Sequence, residues 1–429
     1  MASIGVIQTT VSAEVSSTST SFTEVTESEA LVSGKTYYVI CHGLIEGSSN
    51  SSVFQWRLVD RTNSDAVISN STQIREVTQN NITQSYYYVG RFTAGSGGGG
   101  LAFEQKSSFL QTVRTQYLSM VLLDIDNLAS GDYFYSNDTT TTALTNSFQD
   151  FAEKEKGLIT ASDNWLVFGW QATQIDEIAN NTEIKLNCSD GTTDVPLVSF
   201  EGEDLTEQLN CWICRGYTIA TGGSVTWKIQ SRCDGSPATN NNHLESTVFG
   251  LRLSAFENTN FSYGASNLTT ATTFQNLHTK AFTPDSTGDV IAVGFSAFDA
   301  DSTNRKSLQR VQVDGTTSPN TQPDTEYACN SNDFSDVLPL GYVTKYAGVA
   351  DTAKTITLDA KKESSANYGW LTYTFAQFTA KIKDTALNYS AVAVGTYNSG
   401  DVASQTFALG NVASQTFASG DVASEIKPT

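Results

Sequence analysis

The chain has 429 residues and a net charge of −20, which excludes nucleic acid as a main partner and disfavours insertion at anionic membrane surfaces. Only 16% of residues are charged and only 2 are methionine; abundant Thr, Ser, Asn, Val, Tyr and Phe suit pleated strands and are poor for long helices. Six cysteines are too few for a disulfide framework, so reduced, buried thiols are expected and no cofactor is indicated.

The opening segment, MASIGVIQTTVSAEVSSTST, lacks the basic start and apolar stretch of a secretory signal. No run of 18 apolar residues follows, so assembly in a cytoplasm without membrane insertion is expected. Residues 1–12 read as an N-terminal arm.

Phe22, Phe148 and Phe274 then open three short apolar segments, FTEV, FQDF and FQNL, at two equal steps of 126 residues. A threefold tandem repeat of one domain follows from that spacing. Sixteen or so residues after each anchor comes a second apolar run: YYVICHG from Tyr37, NWLVFGW from Asn164 and DVIAVGF from Asp289. A third run in each copy reaches an aspartate that starts a turn, at Asp60, Asp190 and Asp314. Farther on, Gly90, Gly216 and Gly341 stand beside or near aromatic residues inside strand-like segments, which predicts bulges or bends.

The last strand of each copy alternates and then skips to a final large side chain. Leu118, Met120, Leu122 and Ile125 match Phe249, Leu251, Leu253 and Phe256, then Leu371, Tyr373, Phe375 and Phe378. Period two with one apolar face predicts a half-buried strand. Short helices are conceivable only in FAEKEKG near Phe151 and TEQLN near Thr206. Seven or eight strands per copy predict an all-β chain of three antiparallel β-sandwiches of jelly-roll or Greek-key type. The copies are placed at 13–134, 135–260 and 261–385, with polar connectors over Asn127–Thr142 and Asn258–Thr273.

Residues 386–429 differ in kind. GDVASQTFAL, GNVASQTFAS and GDVASEIKPT start at Gly400, Gly410 and Gly420, with Val402, Val412 and Val422 in register and Phe407 and Phe417 in register. Ten-residue units of a turn and a short strand cannot build a core alone, so these five residues are the candidate partner-binding set.

Candidate chemistry is sparse. Cys211 and Cys214 form a CxxC inside a strand-like run where residues three apart face opposite ways, and no second pair or nearby histidine completes a zinc set. His42, His243 and His278 occupy unrelated repeat positions. Glu201, Glu203 and Asp204 cluster in one copy only, without the matched pair a glycosidase needs. DIDN at Asp124 and DADS at Asp299 resemble fragments of calcium loops but lack the glycine and distal glutamate. Gly97–Gly100 precedes a strand, not a helix, and reads as a mobile hairpin tip instead of a phosphate loop. Acceptor patterns for glycosylation at Asn50, Asn81, Asn137 and Asn267 are expected by chance in so Asn-, Ser- and Thr-rich a chain.

Tandem sandwich copies from FTEV, FQDF and FQNL onward, followed by VASQTFA repeats, resemble in organisation the virion surface proteins of tailed bacteriophages: capsid decoration proteins, head fibres and tail fibres. The resemblance spans the whole chain but carries no diagnostic motif, so it assigns no residue a role. It implies a non-enzymatic structural protein, assembled in a host cytoplasm and exposed on the virion. Its expected partners are other capsid or tail proteins and copies of itself, as a homotrimer, reached through the tail. The alternative is a carbohydrate-binding adhesin that holds host-surface glycans against Trp56, Trp170 or Trp212.

Overall fold

The aromatic and β-branched runs fold as strands in the computed structural model. It describes all residues except 1–2, 49–51, 78–81, 177–180, 191–196, 201–206, 234–240, 265–271, 301–304, 314–315, 318–324, 330–336, 363–367, 384–403, 410–411 and 419–429. The first copy supplies β1 (Gly5–Val11), β2 (Val15–Ser17), β3 (Thr23–Glu27), β4 (Thr36–Gly47), β5 (Ser52–Asp60), β6 (Ala66–Val67), β7 (Gln73–Val77), β8 (Ile82–Thr93), β9 (Leu101–Ser107) and β10 (Val113–Asp124). The second supplies β11 (Tyr133–Asp138), β12 (Thr142–Ala143), β13 (Gln149–Ile159), β14 (Asn164–Gln174), β15 (Thr182–Cys188), β16 (Leu197–Phe200), β17 (Gln208–Thr218), β18 (Gly223–Cys233) and β19 (Asn242–Arg252). The third supplies β20 (Thr259–Gly264), β21 (Gln275–Phe282), β22 (Gly288–Ala300), β23 (Arg305–Val313), β24 (Thr316–Thr317), β25 (Thr325–Cys329), β26 (Val337–Gly348), β27 (Lys354–Lys362) and β28 (Tyr368–Thr379). Among the described residues the only helical segments are two three-residue 3-10 turns, Arg61–Asn63 and Leu253–Ala255.

The same antiparallel sandwich is built three times. Its inner sheet runs β1-β10-β4-β8, then β11-β19-β14-β17, then β20-β28-β22-β26. Its outer sheet runs β3-β9-β5-β7, then β13-β18-β15-β16, then β21-β27-β23 with β24 and β25. That strand order, in which sequence neighbours fall in opposite sheets, is the jelly roll.

Burial separates the two sheets. The outer strands alternate buried and half-exposed residues, as in β5, β15 and β18, because one face meets water. The inner strands are buried along almost their whole length: Tyr37–Gly47 in β4, Trp165–Thr173 in β14, Leu209–Tyr217 in β17. Their second face is covered by a neighbouring copy. One apolar cluster therefore runs from Ile4 to Ala380.

The covering is cyclic. β8 of the first copy packs on β14 and β19 of the second, β17 on β22 and β28 of the third, and β26 on β10 and β4 of the first. At the centre Tyr87, Trp212 and Pro339 meet, one from each copy: the Tyr87 and Trp212 rings stack at 5.7 Å, and the Tyr87 hydroxyl donates to the Pro339 carbonyl at 2.9 Å. Outer and inner sheets also join edge to edge, β7 to β17 at Ile74–Gln208 and β16 to β26 at Ser199–Val337, while β25 lies alongside β8. The ends of the body complete the ring, since Ile4 N–H donates to the Ala380 carbonyl at 2.9 Å and Ser3 bridges Lys381.

Several expectations are corrected by this closure. Residues of the expected arm over 1–12 are a strand: β1 pairs with β10 from Gly5 to Val11, and Gln8 accepts from the Lys345 N–H at 2.8 Å across the closing seam. The expected connectors contain β11 and β20, the first strands of the next copies. The closing strands β10 and β19 are not half-buried, because Ser119, Val121 and Val248 lie under the neighbouring copy. FAEKEKG belongs to β13, where backbone pairing with β18 overrides the helix-forming Glu and Lys.

The strand glycines make no bulge. Register continues through Val39–Gly90, Leu166–Gly216 and Phe295–Gly341. A Cβ would overlap the Phe261 ring at Gly216, the Trp212 ring at Gly341 and the Tyr88 side chain at Gly90. The first two rings come from neighbouring copies, so the missing side chain is a socket at the seam. The Gly97–Gly100 segment is docked, not free: Gly97 N–H donates to the Thr62 carbonyl at 2.8 Å, and Arg61 N–H to the Gly100 carbonyl at 3.0 Å. Gly98 and Gly99 adopt φ of 72° and 91°, which a side chain disfavours there.

The chain divides into two compact units, one of residues 3–382 and one of residues 383–429 with 1–2. In the second unit β29 (Ser404–Leu409) and β30 (Val412–Ala418) form an antiparallel pair.

Candidate interaction surfaces

Sheet edges are where a β protein recruits another chain, since their N–H and C=O groups lack partners. The edges of β7 and β16 are taken by β17 and β26 of the next copy.

The remaining outer-sheet ends, β3, β13 and β21, carry a common device. Each pairing slips just past the strand's start, after Glu24, Asp150 and Asn276, and such bulges deform an edge away from further pairing. The residue before each strand is the repeat anchor. Phe22 lies under the Arg57 guanidinium at 3.6 Å and the Lys106 ammonium at 4.6 Å. Phe148 lies under Lys185 at 3.7 Å and Arg232 at 4.7 Å. In the third copy Gln275 pairs with Ala360 and Arg310 with Asp359, so Arg310 and Lys361 hold the register positions of Arg57 and Lys106. Edge and bulge thus recur in all three copies, and the ring with two cations in the first two. The signal was present in the sequence as cations about 36 and about 85 residues after each anchor.

The tail presents a different edge. Phe407 lies in β29 and Val412 and Phe417 in β30, paired so that Phe407 opposes Gln415 and Phe417 opposes Gln405. Val402 and Val422 lie outside the described residues. Among those residues the two strands form a sheet of their own.

The other singled-out residues are mostly interior. Trp56, Trp170 and Trp212 are each 1% exposed, so none offers a glycan platform; the Trp170 indole donates to the Tyr87 carbonyl at 3.0 Å across a seam. Cys211 and Cys214 are buried in β17, and burial pushes both thiols up. His42 is buried between Tyr117 and the Val343 carbonyl, 3.3 Å from Nε2, and burial pushes it down to about 4. His243 stacks on Phe151 at 3.9 Å, and its Nδ1 lies 2.9 Å from the Thr140 carbonyl. His278 pairs with Ser262 at 2.6 Å. Asp124 forms an ion pair with Lys35, and Asp126 lies 3.8 Å from the same ammonium. Asp299 is a β22 position paired with Val337. Asn137 donates to Glu245 at 3.5 Å. Asp60 caps the first 3-10 turn by accepting from Thr62 N–H at 2.9 Å, and Asp190 accepts from Thr221 N–H at 3.1 Å. Glu201, Glu203, Asp204, Asp314, Asn50, Asn81 and Asn267 lie outside the described residues. Among those residues no three His, Cys, Asp or Glu side chains group as a metal site, and no helix is long and apolar enough to cross a membrane.

No protein-family model matches the chain, and no curated protein matches it in sequence. Solved structures similar to it include a triple-jelly-roll turret structure from an archaeal virus, at 11% identity over 85% of this chain and 82% of that one, with a TM-score of 0.19. A peptide-N-glycosidase F from Flavobacterium meningosepticum matches at 8% identity over 58% and 98%, with a TM-score of 0.29. A tandem pair of CBM22 modules from Paenibacillus barcinonensis matches at 9% identity over 57% and 93%, with a TM-score of 0.17.

Proposed function

We propose that the chain is a non-enzymatic surface component of a virus particle, with the jelly-roll body projecting outward and the C-terminal repeats attaching it. One observation supports the reading: outer-sheet edges of the body are joined to the next copy at β7 and β16 or bulged at β3, β13 and β21, while among the described residues the tail strands β29 and β30 pair with each other. Residues 404–418 are read here as the segment that assembles. Attachment proceeds by strand addition, with main-chain hydrogen bonds supplying affinity and Phe407, Val412 and Phe417, with Val402 and Val422, supplying apolar burial. Three jelly rolls sharing one core, in a chain of net charge −20, suit an exposed structural role. Its partner is a capsid or tail protein or further copies of the chain.

The test is deletion of residues 400–429. The truncated protein is expected to keep its far-ultraviolet spectrum and melting temperature while losing homo-oligomers and particle attachment in sedimentation and co-assembly assays. Undiminished attachment by the truncated protein would overturn the proposal.

A further inference from the structure

The three seams between copies are not bound alike. Between the first and second copies aromatic side chains interlock: Tyr38 stacks on Phe249 at 4.4 Å, and Tyr88 meets Trp170 edge-on at 5.0 Å. Between the second and third, Trp212 fills the socket at Gly341 and meets Phe295 at 6.1 Å, while Phe261 fills the socket at Gly216. Water offers no substitute for such burial, so these two seams resist local separation.

Between the third and first copies, polar side chains of the first reach the main chain of β26. Beyond Val337, where β16 pairs, this edge of β26 has no strand beside it among the described residues. The Tyr87 hydroxyl donates to the Pro339 carbonyl at 2.9 Å and the Ser119 hydroxyl to the Val343 carbonyl at 2.9 Å, with His42 Nε2 3.3 Å from the same oxygen. The Lys345 N–H donates to Gln8 Oε1 at 2.8 Å, and Gln8 Nε2 donates to the Thr344 hydroxyl at 3.2 Å. Water offers each of these groups an equivalent partner, so each bond adds little net stability once the seam can hydrate.

Chain connectivity adds a second asymmetry. Residues 125–132 tie β10 to β11, and residues 253–258 tie β19 to β20, which holds the first copy to the second and the second to the third. In a linear chain the third and first copies have no such tie; the Ile4–Ala380 hydrogen bond and the Ser3–Lys381 bridge close them without one.

We propose that the body opens at this seam as a local event, ahead of global unfolding and with the other two seams shut. The step moves β26 away from β1, β10 and β4. It bares the main-chain groups of β26 from Pro339 to Lys345 and the side chains of Ser119 and His42, both buried in the closed body. It goes beyond the attachment role of the tail and does not rest on it.

The experiment is thiol labelling of the native full chain, read site by site by peptide mass spectrometry. Ser119→Cys places a probe in this seam. Thr247→Cys places one between the first and second copies, because Thr247 is buried on the face of β19 whose Glu245 accepts from Ser69 and Asn70 and whose Phe249 stacks on Tyr38. Cys211 and Cys214, buried in β17, report global unfolding in the same samples. The thiol at 119 is expected to react about tenfold faster than the thiol at 247 and than Cys211 or Cys214. Gln8→Ala, which removes the contacts to Thr344 and Lys345 from a half-buried strand, is expected to speed labelling at 119 severalfold and leave 247 unchanged. Equal rates at 119 and 247, or a rate at 119 matching that of Cys211 and Cys214, would overturn the proposal. So would Gln8→Ala accelerating 119 and 247 alike, since the body would then come apart as one unit.

Discussion

Acid should open the seam between the first and third copies through a single side chain. His42 of β4 sits under β26 with its Nε2 3.3 Å from the Val343 carbonyl, its ring 5.4 Å from Tyr117, and burial holds it at about 4 against 6.5 for a free histidine. In the unfolded chain His42 takes up a proton as pH falls through 6.5, but in the folded chain it does so only near 4. Folding stability is therefore intact at pH 7 and declines below 6.5, because the unfolded state then binds more protons. With one pKa unit equal to about 1.4 kcal/mol, the loss is about 2 kcal/mol by pH 5 and about 3 kcal/mol below pH 4. His243 and His278 are also pushed down by burial and add to the acid sensitivity, so the comparison must be differential. Urea titrations followed by tryptophan fluorescence at pH 7, 6 and 5, on the parent and on His42→Gln, isolate the term. The parent is expected to lose about 2 kcal/mol more than the variant between pH 7 and 5. Equal losses would show that His42 is not held neutral at the seam and would refute the reasoning.

Gly341→Ala places a methyl group against the Trp212 ring and should cost about 1–3 kcal/mol in urea, whereas Gly131→Ala, where a Cβ meets nothing, should be near neutral. An unchanged urea midpoint for Gly341→Ala would remove the seam socket. Phe148→Ala strips the ring from Lys185 and Arg232 and should cost about 1–2 kcal/mol while freeing the β13 edge, so light scattering should rise in the folded state. A variant that stays monodisperse would mean the bulge alone protects the edge. Cys41, Cys211 and Cys214, buried with their thiols pushed up, should resist an aromatic disulfide reagent at pH 8 and react on unfolding. Prompt labelling of Cys41, Cys211 or Cys214 in the native protein would contradict the burial of the inner sheets.

The equal spacing of Phe22, Phe148 and Phe274 determined three copies, and the alternation in segments such as Val53–Asp60 and Thr182–Cys188 determined strands, because a half-exposed outer sheet writes its period of two directly into the sequence. The ten-residue tail repeat likewise foretold short strands, since Val and Phe at fixed steps after a glycine favour that geometry. The sequence also contained, unread, the two cations that follow each anchor.

Closure of the ring was decided only by tertiary structure. Runs such as Tyr37–Ile45 and Trp165–Trp170 are apolar without alternation, which says that both faces are covered but not by what. A neighbour 126 residues away and a second sheet of the same copy impose the same demand on one position, so a linear pattern cannot separate beads from a ring. The glycines show the same limit most sharply. Gly216 and Gly341 leave room for Phe261 and Trp212, and steric room for a ring from another copy is a property of two surfaces in contact, which no single segment encodes.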